Sequence, residues 1–497
     1  MNAQVARLET HPAMTRLADS RLLREQAYVN GRWTRGQEAR SFAVRDPANG
    51  QAVAFVADLG AGETSAAIDA ASTAFAKWSR LLPQERGAFL KRWHALILEA
   101  REDLALLMVL EQGKPLAEAR GEIDYAASFV EFYAEEARRV TVESVASHLP
   151  GAHMQVSRVP LGVVGLVTPW NFPAAMLTRK AAAALAAGCT AVAHPSSETP
   201  LSALALAALA DRAGLPAGIF NVVTGKAATI VGRLCEDPRV RAMSFTGSTG
   251  IGRLIAAQSA PTVKRLVMEL GGHAPLLVFA DADLQKAVDI AMDAKFATSG
   301  QDCLAANRIY VERPVYEAFL RAYAARIEAL RVGNGLDAGT EIGPLMHERA
   351  VAKVDAQVKD AVSRGARLLV GGSRHEAGAL FYRPTLLADV PDDALIMREE
   401  TFGPVAALAP FDTEEEVTAR ANDTEYGLAA YLVTSDAARI ARISAALDYG
   451  MVAVNRVKIT GAPVPFGGVK QSGLGREGSR HGLEAFTDLK YVCLDAA

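Results

Sequence analysis

A chain of 497 residues exceeds what one hydrophobic core organises, so two or three domains are expected. Half of the residues are hydrophobic, 22% are charged and the formal net charge is -3, which excludes a disordered chain and any basic field for nucleic acid or an anionic membrane. The cysteines Cys189, Cys235, Cys303 and Cys493 lie far apart with no CxxC pair, so neither a metal site nor a disulfide framework is expected, and a reducing cytoplasm fits.

Residues 1–25 hold no apolar core and mix Glu9, Asp19 and Glu25 with arginines, so no secretory signal is expected. Residues 65–78, 84–110 and 116–139 carry apolar side chains at three- and four-residue spacing and read as helices. From residue 161 the pattern changes. Short apolar strands at 161–167, 189–193, 219–223 and 242–245 alternate with helical stretches at 174–187, 201–213 and 227–235. That rhythm predicts an α/β fold, a mostly parallel sheet with helices on both faces. The alanine-rich run 181–193 falls short of the ~18 residues a membrane span needs.

A second α/β run starts near residue 266, with a strand at 275–279, a helix at 284–297, a strand at 308–311 and a helix at 315–332. Further units follow at 354–369, 413–421, 428–433 and 437–447. No low-complexity linker separates the halves, so two open α/β domains should pack with a cleft between them. Residues 485–494 read as a strand without a sequence neighbour, and 154–159 are its candidate partner in a small projecting sheet.

Four segments carry chemistry. Thr168-Pro169-Trp170-Asn171-Phe172-Pro173 follows a strand, where open α/β sheets place ligands, and the Asn171 amide suits an oxyanion; alone, the segment reads better as a proline-bracketed turn. Phe245-Thr246-Gly247-Ser248-Thr249-Gly250-Ile251-Gly252 is a glycine-rich strand-to-helix turn whose exposed N–H groups suit a phosphate, although the G-x-G-x-x-G fingerprint follows none of these strands. Glu269-Leu270-Gly271-Gly272 ends a strand in a carboxylate that suits a general base or simply caps a turn. Ser299-Gly300-Gln301-Asp302-Cys303 places a thiol in a polar loop. Asp302 opposes thiolate formation, and its side chain is expected to point away.

In this order and spacing, together with Glu399-Glu400-Thr401-Phe402-Gly403-Pro404 and Pro465-Phe466-Gly467-Gly468, the sequence resembles the aldehyde dehydrogenase superfamily from about residue 28 onward. The stretches 171–180, 202–207 and 473–478 are most similar to its succinate-semialdehyde branch. The resemblance implies a dinucleotide-binding domain (1–139 and 161–268), a catalytic domain (269–481) and an oligomerisation sheet (140–160 and 482–497) in a homodimer or homotetramer. It implies Cys303 as nucleophile, Asn171 as oxyanion donor and Glu269 as base for thioester hydrolysis, with NAD or NADP as coenzyme. Thr168, Pro169, Trp170, Gly247, Ser248, Glu400 and Phe402 then line the coenzyme.

Two departures bear on that site. His194 stands where the family has a lysine, and Ser197 where NAD-preferring relatives place a carboxylate, which implies use of both coenzymes and better NADP use as pH falls. For a substrate with a terminal anion, succinate semialdehyde first, the resemblance implies Arg179 and Thr460 as anion ligands. The branch's second arginine is Ala297 here, and Arg456, ahead of Lys458, is the candidate replacement. A longer, hydroxylated or sulfonated aldehyde, transfer to coenzyme A and a non-catalytic protein of the same fold are the alternatives.

Overall fold

In the computed structural model, residues 11–495 are described; residues 1–10, part of the leader read above, and 496–497 lie outside that range. The alternation after residue 161 forms an eight-stranded sheet in the order Gly473–Leu474, Arg265–Glu269, Val240–Thr246, Val163–Thr168, Thr190–Pro195, Phe220–Val222, Ala27–Val29 and Arg32–Thr34. Its five middle strands are parallel. The chain leaves Val163–Thr168 for Thr190–Pro195 on one side and later fills Val240–Thr246 on the other. The strand order therefore reverses at Val163–Thr168, and a crevice opens beyond its carboxyl end.

The second run forms a seven-stranded sheet in the order Arg367–Val370, Thr385–Ala388, Val405–Phe411, Ala306–Glu312, Ala274–Val278, Ala429–Val433 and Met451–Val454, parallel except at its first pair. The strand expected at 485–494 is Thr487–Asp495, and it pairs antiparallel with Ala152–Pro160, bringing Cys493 opposite Met154 and Asp488 opposite Val159. Val142–Val145 completes that three-stranded sheet.

The alanine-rich run lies in the helix Pro173–Ala187, every residue of which is buried. Small side chains let it pack against Leu116–Glu136 on one side and the sheet on the other. Gly188, at φ 96°, ends the helix in the left-handed conformation that favours glycine.

Several expectations need correction. The region before residue 61 contains the strands Ala27–Val29, Arg32–Thr34, Ser41–Arg45 and Ala52–Ala57; these are short, and half-exposed hairpins give weak alternation. The helix expected at 84–110 is two, Pro83–Glu99 and Arg101–Gln112, parted at Ala100, whose ψ of 12° leaves the helical range. Gly473–Leu474, expected with the second half, hydrogen-bonds antiparallel to Met268 and Glu269 in the first sheet.

Candidate active site

The crevice is a cavity of about 690 Å³ lined from both halves, and Cys303 is in its wall. The loop bearing Cys303 is unusually constrained. After the helix Leu284–Phe296 the chain places Thr298 (φ 51°), Ser299 (φ 56°) and Gly300 (φ 70°) in the left-handed region, which costs free energy for the two non-glycine residues. Packing offsets that strain. Both Glu118 carboxylate oxygens accept the Thr298 N–H at 3.0 Å, the Gly343 N–H donates to Ser299 Oγ at 2.9 Å, and the Met346 N–H donates to Gln301 Oε1 at 2.9 Å. A Cβ on Gly300 would lie 2.2 Å from the Gly403 carbonyl oxygen, and one on Gly272 would lie 2.1 Å from the Cys303 carbonyl oxygen. Both glycines are needed so that neighbouring backbones can close around the nucleophile.

Asn171 reaches the same loop. Its Nδ2 donates to the Gln301 carbonyl at 3.0 Å, and its own carbonyl accepts from Lys114 Nζ at 2.8 Å. Lys114 is held by Glu122 in a fully buried ion pair, and Glu122 also accepts the Ala174 N–H at 3.0 Å at the start of the helix Pro173–Ala187. The amide is thereby oriented before any substrate arrives.

Burial pushes the Cys303 thiol well above its usual range, and the Asp302 and Glu400 carboxylates push it further. Asp302 was expected to point away; instead it lines the cavity. Its Oδ1 accepts the Leu304 N–H at 3.0 Å, a local turn that holds the carboxylate beside the thiol. Alkylation of the coenzyme-free protein by iodoacetamide should therefore accelerate from pH 7 to beyond pH 9, because the thiolate fraction keeps growing below a raised pKa. Asp302→Asn should speed the reaction at pH 8, and equal rates would show that the thiol does not feel this charge.

Glu269 ends its strand 1% exposed, and neither carboxylate oxygen has a hydrogen-bond partner among the described residues. It does not line the cavity. Its carboxylate faces Gly467, where an added Cβ would lie 2.8 Å from Oε1. Burial, then the Glu477 charge, raises it well above the carboxylate range. Glu477 itself is held ionised by Lys180 and Arg179 despite burial. Arg179 Nε lies 2.8 Å from Glu477 Oε2, but at an angle that leaves both atoms without a proper hydrogen bond; the contact is an ion pair by proximity.

At the far end of the cavity the Arg179 guanidinium lies 4.1 Å from the Phe466 ring centre, and Nη1 has no hydrogen-bond partner. The Tyr125 hydroxyl faces both Arg179 and Thr460. Thr460 and Lys458 line the cavity together with Ala297. Arg456 does not line it, whereas Lys458, equally exposed, does, so Lys458 and not Arg456 is the loop cation at this site; 455–460 is an irregular loop with no period that tells the two apart.

The other end suits a dinucleotide. Pro169, Trp170, Gly247, Ser248, Glu400 and Phe402 all line the cavity, and Trp170 meets the Phe402 ring edge-on at 5.5 Å. Gly247 and Ser248 precede the helix Thr249–Ser259, a positive dipole end for a phosphate. Thr168 and Thr246 beside it each keep a buried hydroxyl without a partner, as expected where a polar ligand completes the site. Glu400 Oε1 accepts the Gly272 N–H at 2.9 Å, and Lys353 Nζ holds the Glu400 carbonyl.

His194 is not on the cavity. It is 2% exposed, its Nδ1 lies 2.9 Å from the Val223 carbonyl, and burial lowers its pKa below the usual histidine value. The expected gain in NADP use on acidification loses its basis, because a buried imidazole protonates less readily. Ser197 is exposed, and its hydroxyl faces Glu198 Oε2 at 3.4 Å. Tyr125, Glu118, Glu122 and Lys353, in ordinary helix positions, His347, which lines the cavity from a helix N-cap, and Lys114, in the short link between two helices, were missed on sequence. Glu477 and Lys180 lay within the motif stretches already singled out.

The aldehyde dehydrogenase family pattern matches residues 33–492. An aspartate-semialdehyde dehydrogenase (non-phosphorylating) of Halomonas elongata is 52% identical over 97% of this chain and 97% of its own length. The succinate-semialdehyde dehydrogenase [NADP(+)] GabD of Escherichia coli is 51% identical over 96% of this chain and 99% of its own. A crystal structure described as an E. coli NADP dependent enzyme superposes with a TM-score of 0.96 at 51% identity, covering 96% of this chain and 100% of that one.

Proposed function

The chain belongs to the aldehyde dehydrogenase family, and from that premise we propose that it oxidises a short aldehyde with a terminal anion, succinate semialdehyde first, to the acid. The observation that carries this reading is the single cavity that joins Cys303 and Asn171 to Arg179, Tyr125, Thr460 and Lys458. The relatives' names share a short semialdehyde ending in a carboxylate. NAD(P), when bound, supplies the hydride acceptor. Trp170, Gly247, Ser248, Glu400 and Phe402 are the residues that would hold it.

The protein's own part starts with Cys303 Sγ, which bonds to the aldehyde carbon as thiolate. The Asn171 amide, together with the Cys303 N–H, stabilises the oxyanion. Departure of hydride from that carbon leaves a thioester on Cys303. Glu269 then turns from Gly467 toward the thioester and takes a proton from the attacking water, and the acid leaves as sulfur regains the thiolate. Sulfur suits both roles because it attacks and leaves readily. The direct test is coenzyme reduction, followed by absorbance, with succinate semialdehyde against butanal; a preference for butanal overturns the anionic reading.

Coenzyme choice follows from charge at the end of the strand Thr190–Pro195. Burial disfavours a charge on His194 there, Ser197 removes one carboxylate, and the Glu198 side chain, 30% exposed and 3.8 Å from Arg349, restores one nearby. Both coenzymes should serve, with a NADP-to-NAD ratio of kcat/KM flat from pH 8 to pH 6. Glu198→Gln should raise that ratio about two- to five-fold, the worth of one partly exposed charge. A ratio that climbs on acidification would return His194 to the site.

The projecting sheet exposes Val142, Val145, Leu489, Tyr491 and Leu494, apolar surface that a monomer rarely leaves open. We read it as the contact of a homodimer or homotetramer. Removal of residues 487–497 should yield monomers in sedimentation; unchanged mass would place the contact elsewhere. No described helix is long and apolar enough to cross a membrane, and a nucleophile that must stay a free thiol suits the reducing cytoplasm.

A further inference from the structure

We propose that Asp302 is a specificity-determining residue, selecting among anionic semialdehydes those that carry a hydrogen-bond donor, an ammonium or hydroxyl group, between the aldehyde and the terminal acid. The proposal rests on the anionic-aldehyde reading above. Asp302 lies one residue before the nucleophile and lines the same cavity. Oδ1 accepts the Leu304 N–H, and the carboxylate's other polar neighbour is the Cys303 thiol, whose proton is gone once sulfur has bonded to the aldehyde carbon. No lysine, arginine or histidine among the described residues comes within ion-pair distance of either oxygen.

The other carboxylates around the substrate end are occupied. Glu118 uses both oxygens on the Thr298 N–H, and Glu122 serves Lys114 and the start of the helix Pro173–Ala187. Among the carboxylates that line the substrate end of the cavity, Asp302 has an oxygen that no backbone N–H and no cation holds among the described residues. Its charge also opposes the thiolate that the reaction needs, so it has a chemical cost and no structural duty beyond a turn that asparagine fills as well.

The cavity is thus polarised, with an acceptor near Cys303 and donors at Arg179, Tyr125, Thr460 and Lys458. An unsubstituted chain sets a methylene against the Asp302 carboxylate and takes its water away. A donor on the chain replaces that water, and sites built around a substrate donor discriminate strongly against analogues lacking it.

The test compares kcat/KM for succinate semialdehyde, its 2-amino derivative and its 3-hydroxy derivative, and for the uncharged pair butanal and 2-hydroxybutanal. Wild type should favour at least one donor-bearing member over its parent by about tenfold or more. Preference for the amino form alone assigns an ammonium ligand, and preference for the hydroxy form alone a hydroxyl. Asp302→Asn keeps the Leu304 turn and turns an NH2 toward the cavity, so the ratio should collapse to within about threefold. Any general gain from a lower thiol pKa cancels in that ratio. A wild type that favours the unsubstituted parents, or a ratio unchanged in Asp302→Asn, overturns the proposal. If butanal matches succinate semialdehyde, the anionic reading fails separately, and the butanal pair still decides the role of Asp302.

Discussion

Glu269→Gln should release a burst of about one reduced coenzyme per site and then slow by roughly 10²- to 10⁴-fold, the usual contribution of a general base. Cys303→Ala should give no burst, and its turnover should fall on the order of 10⁴-fold or more, as when a nucleophile is removed. The two variants differ because they interrupt different bonds. Without the thiol no thioester forms; without the carboxylate the thioester forms and waits for water. Intact-protein mass should show the acyl group trapped on Glu269→Gln after mixing with aldehyde and coenzyme.

The same residue sets a pH dependence. Burial and Glu477 raise the Glu269 carboxyl, so its basic form grows as pH rises, and thioester hydrolysis should rise with it. The rise should vanish in Glu269→Gln. The buried carboxylate faces Gly467 in this state, so a side chain larger than hydrogen at 467 should hinder the turn toward Cys303 and slow hydrolysis more than hydride release. Steady turnover of Glu269→Gln at the wild-type rate would falsify the assignment of the base.

Arg179→Lys should lower kcat/KM for succinate semialdehyde by about ten- to a hundredfold while leaving butanal within about threefold, the loss of one charge-assisted hydrogen bond of ~1.5–3 kcal/mol. Lysine is the informative replacement. Arg179 is 1% exposed, and burial works against its charge, which Glu477 more than offsets. Truncation to alanine would leave the Glu477 carboxylate with only Lys180 and the Ser244 hydroxyl among the described residues, and breaking a buried pair costs ~3–5 kcal/mol. A fallen Tm would then obscure the kinetics. Lysine keeps the charge near Glu477 but loses the planar fork that meets a carboxylate with two N–H groups. Lys458→Ala, on an exposed loop, should add a smaller, salt-sensitive loss for the anionic substrate alone. Equal effects on both aldehydes would show that Arg179 acts only through Glu477.

The α/β class, the strand–helix rhythm from residue 161 and the pairing of the terminal strand were legible in the sequence, because apolar periodicity reports which face of an element is buried. That Cys303, Asn171 and the turn at Gly247 and Ser248 share one cavity was legible too, through the order and spacing of several motifs together, since each segment by itself read equally well as an ordinary turn or loop. The hairpins before residue 61 were not, because a strand of three residues such as Ala27–Val29 carries no readable period.

Side-chain direction was the larger gap. Asp302 could be named as a charge beside the thiol, but its turn toward the cavity depends on the Leu304 N–H and on three left-handed residues held by Glu118 from 180 positions away. Whether position 194 presents a charge to the coenzyme depended on Val223 closing over the imidazole. The choice between Arg456 and Lys458 depended on which side of a loop faces a pocket built by distant segments, and Tyr125 entered only because its helix lies against Pro173–Ala187. Local pattern records burial along one element; the site is a product of contacts between elements, and those exist only once the chain has folded.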